Sequence, residues 1–186
     1  MASAAKIMII RHAEKPEGSV QGVDIGGNDG TENLTVQRAG ALARFFAPLS
    51  GQFQRPGIAQ PQFLFASGPV GKSQKKDDGD GSKSQRPEQT ITQLSQLIGV
   101  TIDSAFVKGH EAQVAAAAVA SGDVVLIAWQ HEDIPAIAAA IPGASGFPSP
   151  WPGTVSTSSG SSICGRMARI YSARFPKCCS PVIFRQ

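Results

Sequence analysis

The chain has 186 residues, of which 41% are apolar and 17% charged, and this suits one globular domain but is too short for two of ordinary size. No segment approaches the roughly 20 apolar residues of a membrane span, and the N-terminus lacks the apolar core of a signal peptide, so we expect a cytoplasmic protein that does not contact a membrane. The net charge of +3 is unevenly distributed, because residues 1–150 hold 12 basic and 14 acidic residues whereas residues 151–186 hold five basic and no acidic ones. A basic nucleic-acid-binding face on the domain is therefore not predicted.

The first predicted element is a buried strand at Ile7–Ile10, a short apolar run that ends in Arg11 and His12. A fully apolar strand is typical of a parallel sheet that is covered on both faces. Ligands of such sheets bind just beyond the carboxyl ends of the strands. Arg11 and His12 are therefore expected at the mouth of a cleft, although a single histidine after a strand is more often an ordinary loop residue.

A long surface loop is predicted next, from Glu17 to Asn33, because the segment is rich in Gly, Asp and Asn. A helix follows, with Thr35 as its N-cap and Pro48 just beyond its end. A second apolar run, Phe63–Ala66, predicts another strand that stops at Ser67.

Residues 68–84 are rich in Gly, Lys and Asp and predict a mobile, solvated loop. The next helix begins with Pro87 in its first helical position and ends before Gly99. Arg86 then lies just before the N-terminus of this helix, where the backbone N–H groups and the helix dipole favour an anion.

The remaining elements are a short strand, an alanine-rich helix, a central strand and a further helix, predicted at Val100–Phe106, His110–Ser121, Val124–Trp129 and Ile134–Ile141.

A second histidine, His131, follows the central strand directly. Four basic side chains thus stand at strand or helix ends, where core packing does not explain them. They are His12, His131, Arg11 and Arg86. They predict one convergent cationic pocket.

Arg11-His12-Ala13-Glu14 resembles the Arg-His signature of the histidine phosphatase superfamily, which has the phosphoglycerate mutase-like fold. The likeness covers residues 6 to about 152 and continues at Leu34-Thr35 with Arg38-Ala39, at Ala66-Ser67, at Ser84–Thr90 and at Trp129-Gln130-His131-Glu132. It implies an α/β protein: a three-layer α/β/α sandwich with a mostly parallel central sheet.

The resemblance also implies roles for the pocket residues. His12 would attack phosphorus and become a phosphohistidine, while Arg11, Arg86 and His131 would hold the phosphoryl oxygens. It implies neither a metal ion nor a cofactor. Because long substrate-recognition insertions are missing, we expect a small phosphorylated substrate, either a phosphoester or a phosphoramidate.

The proton donor has two candidates under this resemblance. Glu132 matches the acid of the phytase and acid-phosphatase branch and is preferred. Glu111 would serve if the donor lies where the mutase branch keeps it.

Two other functions stay open. The chain would be a non-catalytic phosphate- or partner-binding module of the same fold if the pocket lacked productive chemistry. The second of these is a phosphomutase. The sequence does not indicate the oligomeric state.

The likeness stops near Trp151, so we divide the chain into a domain of residues 1–152 and an atypical Ser-rich, basic tail of residues 153–186. Relatives end in an apolar strand that completes the sheet, whereas Thr154–Ser162 is mostly Ser, Thr and Gly. We hypothesise a shift of reading frame there and expect the final strand to be missing or altered, which leaves a neighbouring strand edge unpaired. The rival hypothesis is a basic tail that binds an acidic partner. The three cysteines, all in this tail, have no metal-binding spacing.

Overall fold

The computed structural model describes residues 6–13, 19–20, 23–24, 33–54, 57–69, 84–147, 149–150 and 182–185. The strands in these ranges are β1 (Lys6–Arg11), β2 (Ser19–Val20), β3 (Val23–Asp24), β4 (Phe63–Ala66), β5 (Ile102–Asp103), β6 (Val124–Trp129) and β7 (Val182–Arg185). The helices are α1 (Asn33–Phe46), α2 (Arg86–Ile98), α3 (Glu111–Ala120) and α4 (Ile134–Ala140). None of the helices in these ranges is long and apolar enough to cross a membrane.

The centre of the fold is a five-stranded sheet with the order β5-β4-β6-β1-β7. Its first four strands are parallel, and β7 is antiparallel to β1. Because β1 and β6 are in register from Lys6↔Val124 to Arg11↔Trp129, they end at the same level. This arrangement confirms the α/β class and brings the carboxyl ends of β1, β4 and β6 to one edge of the sheet.

Strand β1 is buried on both faces of the sheet, as its apolar run predicts. Ile7 and Ile9 of β1 pack on one face, together with α3 and α4. Met8 and Ile10 point to the opposite face and pack with α1 and α2. Alternation of side chains along a strand therefore gives β1 a core contact at every position from Ile7 to Ile10.

Three segments differ from the sequence-based prediction by more than one residue at an end. Thr35 is not an N-cap, because α1 already begins at Asn33. The strand predicted over Val100–Phe106 is reduced to β5, because the chain leaves the β4 ladder after Asp103. The loop predicted from Glu17 to Asn33 contains the small antiparallel pair of β2 and β3, and its other residues before Asn33 lie outside the described ranges.

The C-terminal tail contributes a strand to the sheet. β7 pairs with β1 from Lys6↔Arg185 to Ile9↔Val182. The expectation of an unpaired edge is therefore wrong for Lys6–Ile9. The partner strand comes from a short apolar run late in the tail, Val182-Ile183-Phe184, and not from the Ser-rich segment Thr154–Ser162. Residues 151–181, including the cysteines, lie outside the described ranges.

Candidate active site

His12 follows β1 directly and is buried, with 5% of its surface exposed. Its backbone N–H donates to the Trp129 carbonyl at 3.0 Å and so extends the β1–β6 ladder by one residue. Its ring Nδ1 lies 2.6 Å from the carbonyl oxygen of Ala13. Since a carbonyl oxygen can only accept, Nδ1 carries the hydrogen. In the neutral ring Nε2 therefore holds the free lone pair.

The pKa of His12 is lowered from 6.5 to about 4. Burial is the main cause, because it disfavours the charged ring. The hydrogen bond to Ala13 opposes this shift, the positive charges of Arg86 and Arg11 reinforce it, and the negative charge of Glu132 opposes it. His12 is thus neutral at physiological pH, and the charges that act on it come from β1, α2 and the turn after β6.

Arg86 is the first residue of α2, so this helix begins one position earlier than predicted, where Pro87 was expected to be its first residue. Its Nε donates to the Ser84 hydroxyl at 3.0 Å, and Ser84 is buried, so the guanidinium group has a fixed neighbour. Gln85 occupies the N-cap position but makes no side-chain capping bond. The Arg86 side chain is therefore held at the end of the helix that faces the segment after β1.

Thr90 joins α2 to that segment. Its hydroxyl accepts from the Ala13 N–H at 2.9 Å and donates to the Arg86 carbonyl at 2.6 Å. Thr90 is almost fully buried, with 1% exposed. One side chain therefore sets the spacing between the residue after His12 and the first turn of α2.

The turn after β6 carries His131 and Glu132. Glu132 Oε2 lies 2.9 Å from His131 Nδ1, and Glu132 Oε1 lies 3.2 Å from the Lys108 ammonium nitrogen. Burial raises the pKa of Glu132, but its own backbone N–H, Lys108 and His131 together outweigh burial and hold this pKa below its ordinary value. Glu132 is therefore ionised at neutral pH.

A buried polar pair connects the ends of β4 and β6. The Ser67 hydroxyl accepts from the Gln130 side-chain amide at 3.0 Å, and the Ser67 N–H donates to the Ala128 carbonyl at 3.2 Å. Both side chains are buried. The pair ties the residue before His131 to the neighbouring strand end.

Glu111 has other partners. Its Oε1 accepts from the Trp129 indole N–H at 3.1 Å and from the Gly109 N–H at 3.0 Å. Glu111 thus begins α3 and holds the Trp129 side chain in place. These contacts give it a structural function, whereas the charge of Glu132 acts on His12.

The structure places the residues predicted for the pocket at one edge of the sheet. Arg11, Arg86 and Glu132 act electrostatically on His12, and His131 joins them through Glu132. Thr90 and Lys108 were not among the residues predicted for the pocket. Thr90 follows Arg86 by one helical turn, a spacing that could have suggested a shared face. Nothing local marks Lys108.

Over the described residues, no three His, Cys, Asp or Glu side chains meet in an arrangement that would bind a metal ion. No protein-family model, curated protein or solved structure matches the chain. What the site can do chemically therefore follows from its own residues and their geometry.

Proposed function

We propose that this chain is a metal-independent phosphatase that hydrolyses a small phosphoester or phosphoramidate through a phosphohistidine on His12, on a three-layer phosphoglycerate mutase-like fold. The observation that carries the proposal is the state of His12. It is neutral, its Nδ1 hydrogen is engaged by Ala13, and its Nε2 lone pair is available beside the charges of two arginines. A neutral imidazole with cations beside it suits attack on an anionic phosphoryl group.

The reaction has two steps. His12 Nε2 attacks phosphorus, the bond from phosphorus to the leaving atom breaks, and the leaving group takes up a proton. Water then attacks phosphorus, the P–N bond breaks, and phosphate is released. Arg11, Arg86 and His131 stabilise the charge on the phosphoryl oxygens, which is the largest demand of phosphoryl transfer.

Glu132 is the preferred proton donor, because its charge acts on the His12 ring. Its lowered pKa means that only a fraction of it is protonated above pH 4.5, so the proposal implies an acidic pH optimum for substrates with poor leaving groups. Glu111 is the alternative donor, and its Oε1 already accepts hydrogen bonds from Trp129 and Gly109.

The test is turnover of p-nitrophenyl phosphate and of an alkyl phosphate by wild type and His12→Ala, in buffer with EDTA, between pH 3.5 and 8. We expect His12→Ala to lower the rate at least about 10³-fold. Arg44→Met is the matched control, since Arg44 is exposed in the last turn of α1 and lies outside the pocket. Glu132→Gln should slow the alkyl phosphate about 10²-fold or more, and p-nitrophenyl phosphate much less, because its leaving group needs little protonation.

Equal rates for wild type and His12→Ala would exclude the phosphatase. Phosphate binding without turnover would then favour the non-catalytic module. Transfer of the phosphoryl group within a substrate, in place of release to water, would identify a phosphomutase.

A further inference from the structure

Lys108 reaches the pocket from a different loop than the residues it contacts. It lies between β5 and α3, 24 positions before Glu132 in the chain. Its ammonium nitrogen is 3.2 Å from Glu132 Oε1 and 3.8 Å from Asp133 Oδ2. Only 19% of its side chain is exposed, against 47% for Glu132. The lysine side chain is therefore less exposed than the glutamate side chain that it binds.

Glu132 connects Lys108 to His131. One carboxylate oxygen faces the ammonium group and the other faces His131 Nδ1 at 2.9 Å. The two contacts use both oxygens, so the plane of the carboxylate is held from two sides. Because an ionised carboxylate only accepts, the His131 Nδ1 carries a hydrogen in this contact, and its Nε2 is left for a ligand.

We propose that Lys108 is a positioning residue, which anchors Oε1 of Glu132 so that Oε2 orients His131 toward the phosphoryl group. The role rests on the proposed function, since it concerns the same pocket. With this role, the loop between β5 and α3 contributes a residue to the pocket. The predicted pocket residues come instead from the ends of strands and helices and from the sequence motifs.

Charge explains why a lysine suits this position. The groups that face Glu132 are Lys108 from the β5–α3 loop, His131 and Asp133 from its own turn, and His12 after β1. Among them Asp133 places a second carboxyl group 3.8 Å from the same ammonium nitrogen. Without Lys108, two adjacent carboxylates would lose their shared cation, and protonation of Glu132 would become easier.

The experiment follows the Glu132 carboxyl carbon and the His131 ring nitrogens by NMR between pH 3 and 9, in wild type, Lys108→Met, Lys108→Gln and Lys108→Arg. We expect both neutral variants to raise the midpoint of the Glu132 titration by about half a pH unit and to lower the hydrogen occupancy of His131 Nδ1. Lys108→Arg keeps the charge and should restore both signals. Arg44→Met removes an exposed positive charge outside the pocket and should change neither.

Turnover gives the second measurement. In Lys108→Met the alkaline limb of the pH–rate profile should move upward with the Glu132 titration, while kcat at the optimum falls roughly 3- to 10-fold through misorientation. Unchanged Glu132 and His131 signals in both neutral variants would overturn the proposal. The NMR result does not depend on turnover. An inactive wild type would therefore refute the phosphatase alone. Whether Lys108 orients His131 would still be decided by the NMR signals of Glu132 and His131.

Discussion

The His12 ring is subject to three physical constraints at once. Burial keeps it neutral, the Ala13 carbonyl places the hydrogen on Nδ1, and the arginine charges oppose protonation further. Each constraint has a separate source in the chain: the core around β1, the backbone of the next residue, and the start of α2. A neutral imidazole with its hydrogen on Nδ1 has its lone pair on Nε2, which is the state that the proposed attack on phosphorus requires.

The lowered pKa of His12 predicts a specific acid sensitivity. The unfolded chain takes up a proton below about pH 6.5, and the folded state does so only near pH 4, so the contribution of His12 to stability is present above pH 6.5 and lost as the pH falls toward 4. Between pH 7 and 4.5 this loss amounts to roughly 2–3 kcal/mol. Urea unfolding at several pH values should show this loss of unfolding free energy in wild type. In His12→Gln the loss between pH 7 and 4.5 should be smaller by the same roughly 2–3 kcal/mol. The same pH dependence in both proteins would contradict the shift.

Thr90 is predicted to contribute more to the free energy of unfolding than a threonine that bonds only within its own helix. Thr90→Val keeps the shape of the side chain but leaves the buried Ala13 N–H without its acceptor, which should cost about 1–3 kcal/mol. Thr92→Val is the matched control, because Thr92 donates to the Glu88 carbonyl within α2 and should cost about 0.5 kcal/mol or less. Urea unfolding measures both. Equal losses would show that the bond to Ala13 contributes nothing.

At the scale of elements, the site depends on where parallel strands end. β1, β4 and β6 run in the same direction and finish together, so residues far apart in the chain meet there. The loop after β5 joins this edge by a close backbone approach. The Gly68 N–H donates to the Phe106 carbonyl at 2.8 Å, and Gly68 forms a bridge with Val107. That approach brings Lys108 within reach of Glu132.

Gly68 is therefore predicted to tolerate no side chain. A Cβ atom there would lie 2.1 Å from the Ser104 carbonyl oxygen, so Gly68→Ala must push the β5–α3 loop away, at a cost of about 1–3 kcal/mol or more. Gly143→Ala is the comparison, since Gly143 has a φ of +77° but open space around it, and should cost about 1 kcal/mol. Thermal unfolding of both variants, with turnover by Gly68→Ala, tests the prediction. A Gly68→Ala protein as stable as wild type would refute the close approach.

At the scale of the whole molecule, β7 forms one edge of the sheet beside β1, the strand that leads into His12. β1 lies between β6 and β7, so neither of its edges is open from Lys6 to Ile9. Open edges of apolar strands pair readily with other chains. The late part of the tail therefore belongs to the folded domain, whatever the origin of the Ser-rich segment before it.

Removal of residues 181–186 should expose the β1 edge. We expect the melting temperature to fall by at least about 3 °C and the protein to aggregate on heating, because the edge of an apolar strand becomes accessible. Removal of Gln186 alone is the control, since β7 ends at Arg185. Differential scanning calorimetry and light scattering measure the two effects. An unchanged melting temperature with no aggregation would mean that the β1–β7 pairing does not stabilise the domain.

The hypothesis of a frame shift is separate and is tested by sequencing the gene.

The local sequence determined several elements to the residue. Apolar runs bounded by small or polar residues predicted β4 and β6 with their observed ends, and Gly99, which has a φ of +70°, marked the end of α2. His12 and Arg86 were predicted as pocket residues because His12 stands where a strand ends and Arg86 where a helix begins. Periodicity and chain-breaking residues are local signals, so they can be read without knowing the fold.

Tertiary structure alone decided which side chains meet. The bond between Ala13 and Thr90 spans 77 positions, and the contact between Lys108 and Glu132 crosses from one loop to another. The pairing of β7 with β1 joins the two ends of the chain. Such contacts depend on the order of strands in the sheet and on the path of the loops. They leave no periodic trace in the sequence, because the free energy that forms them comes from groups that are distant along the chain and adjacent only after folding.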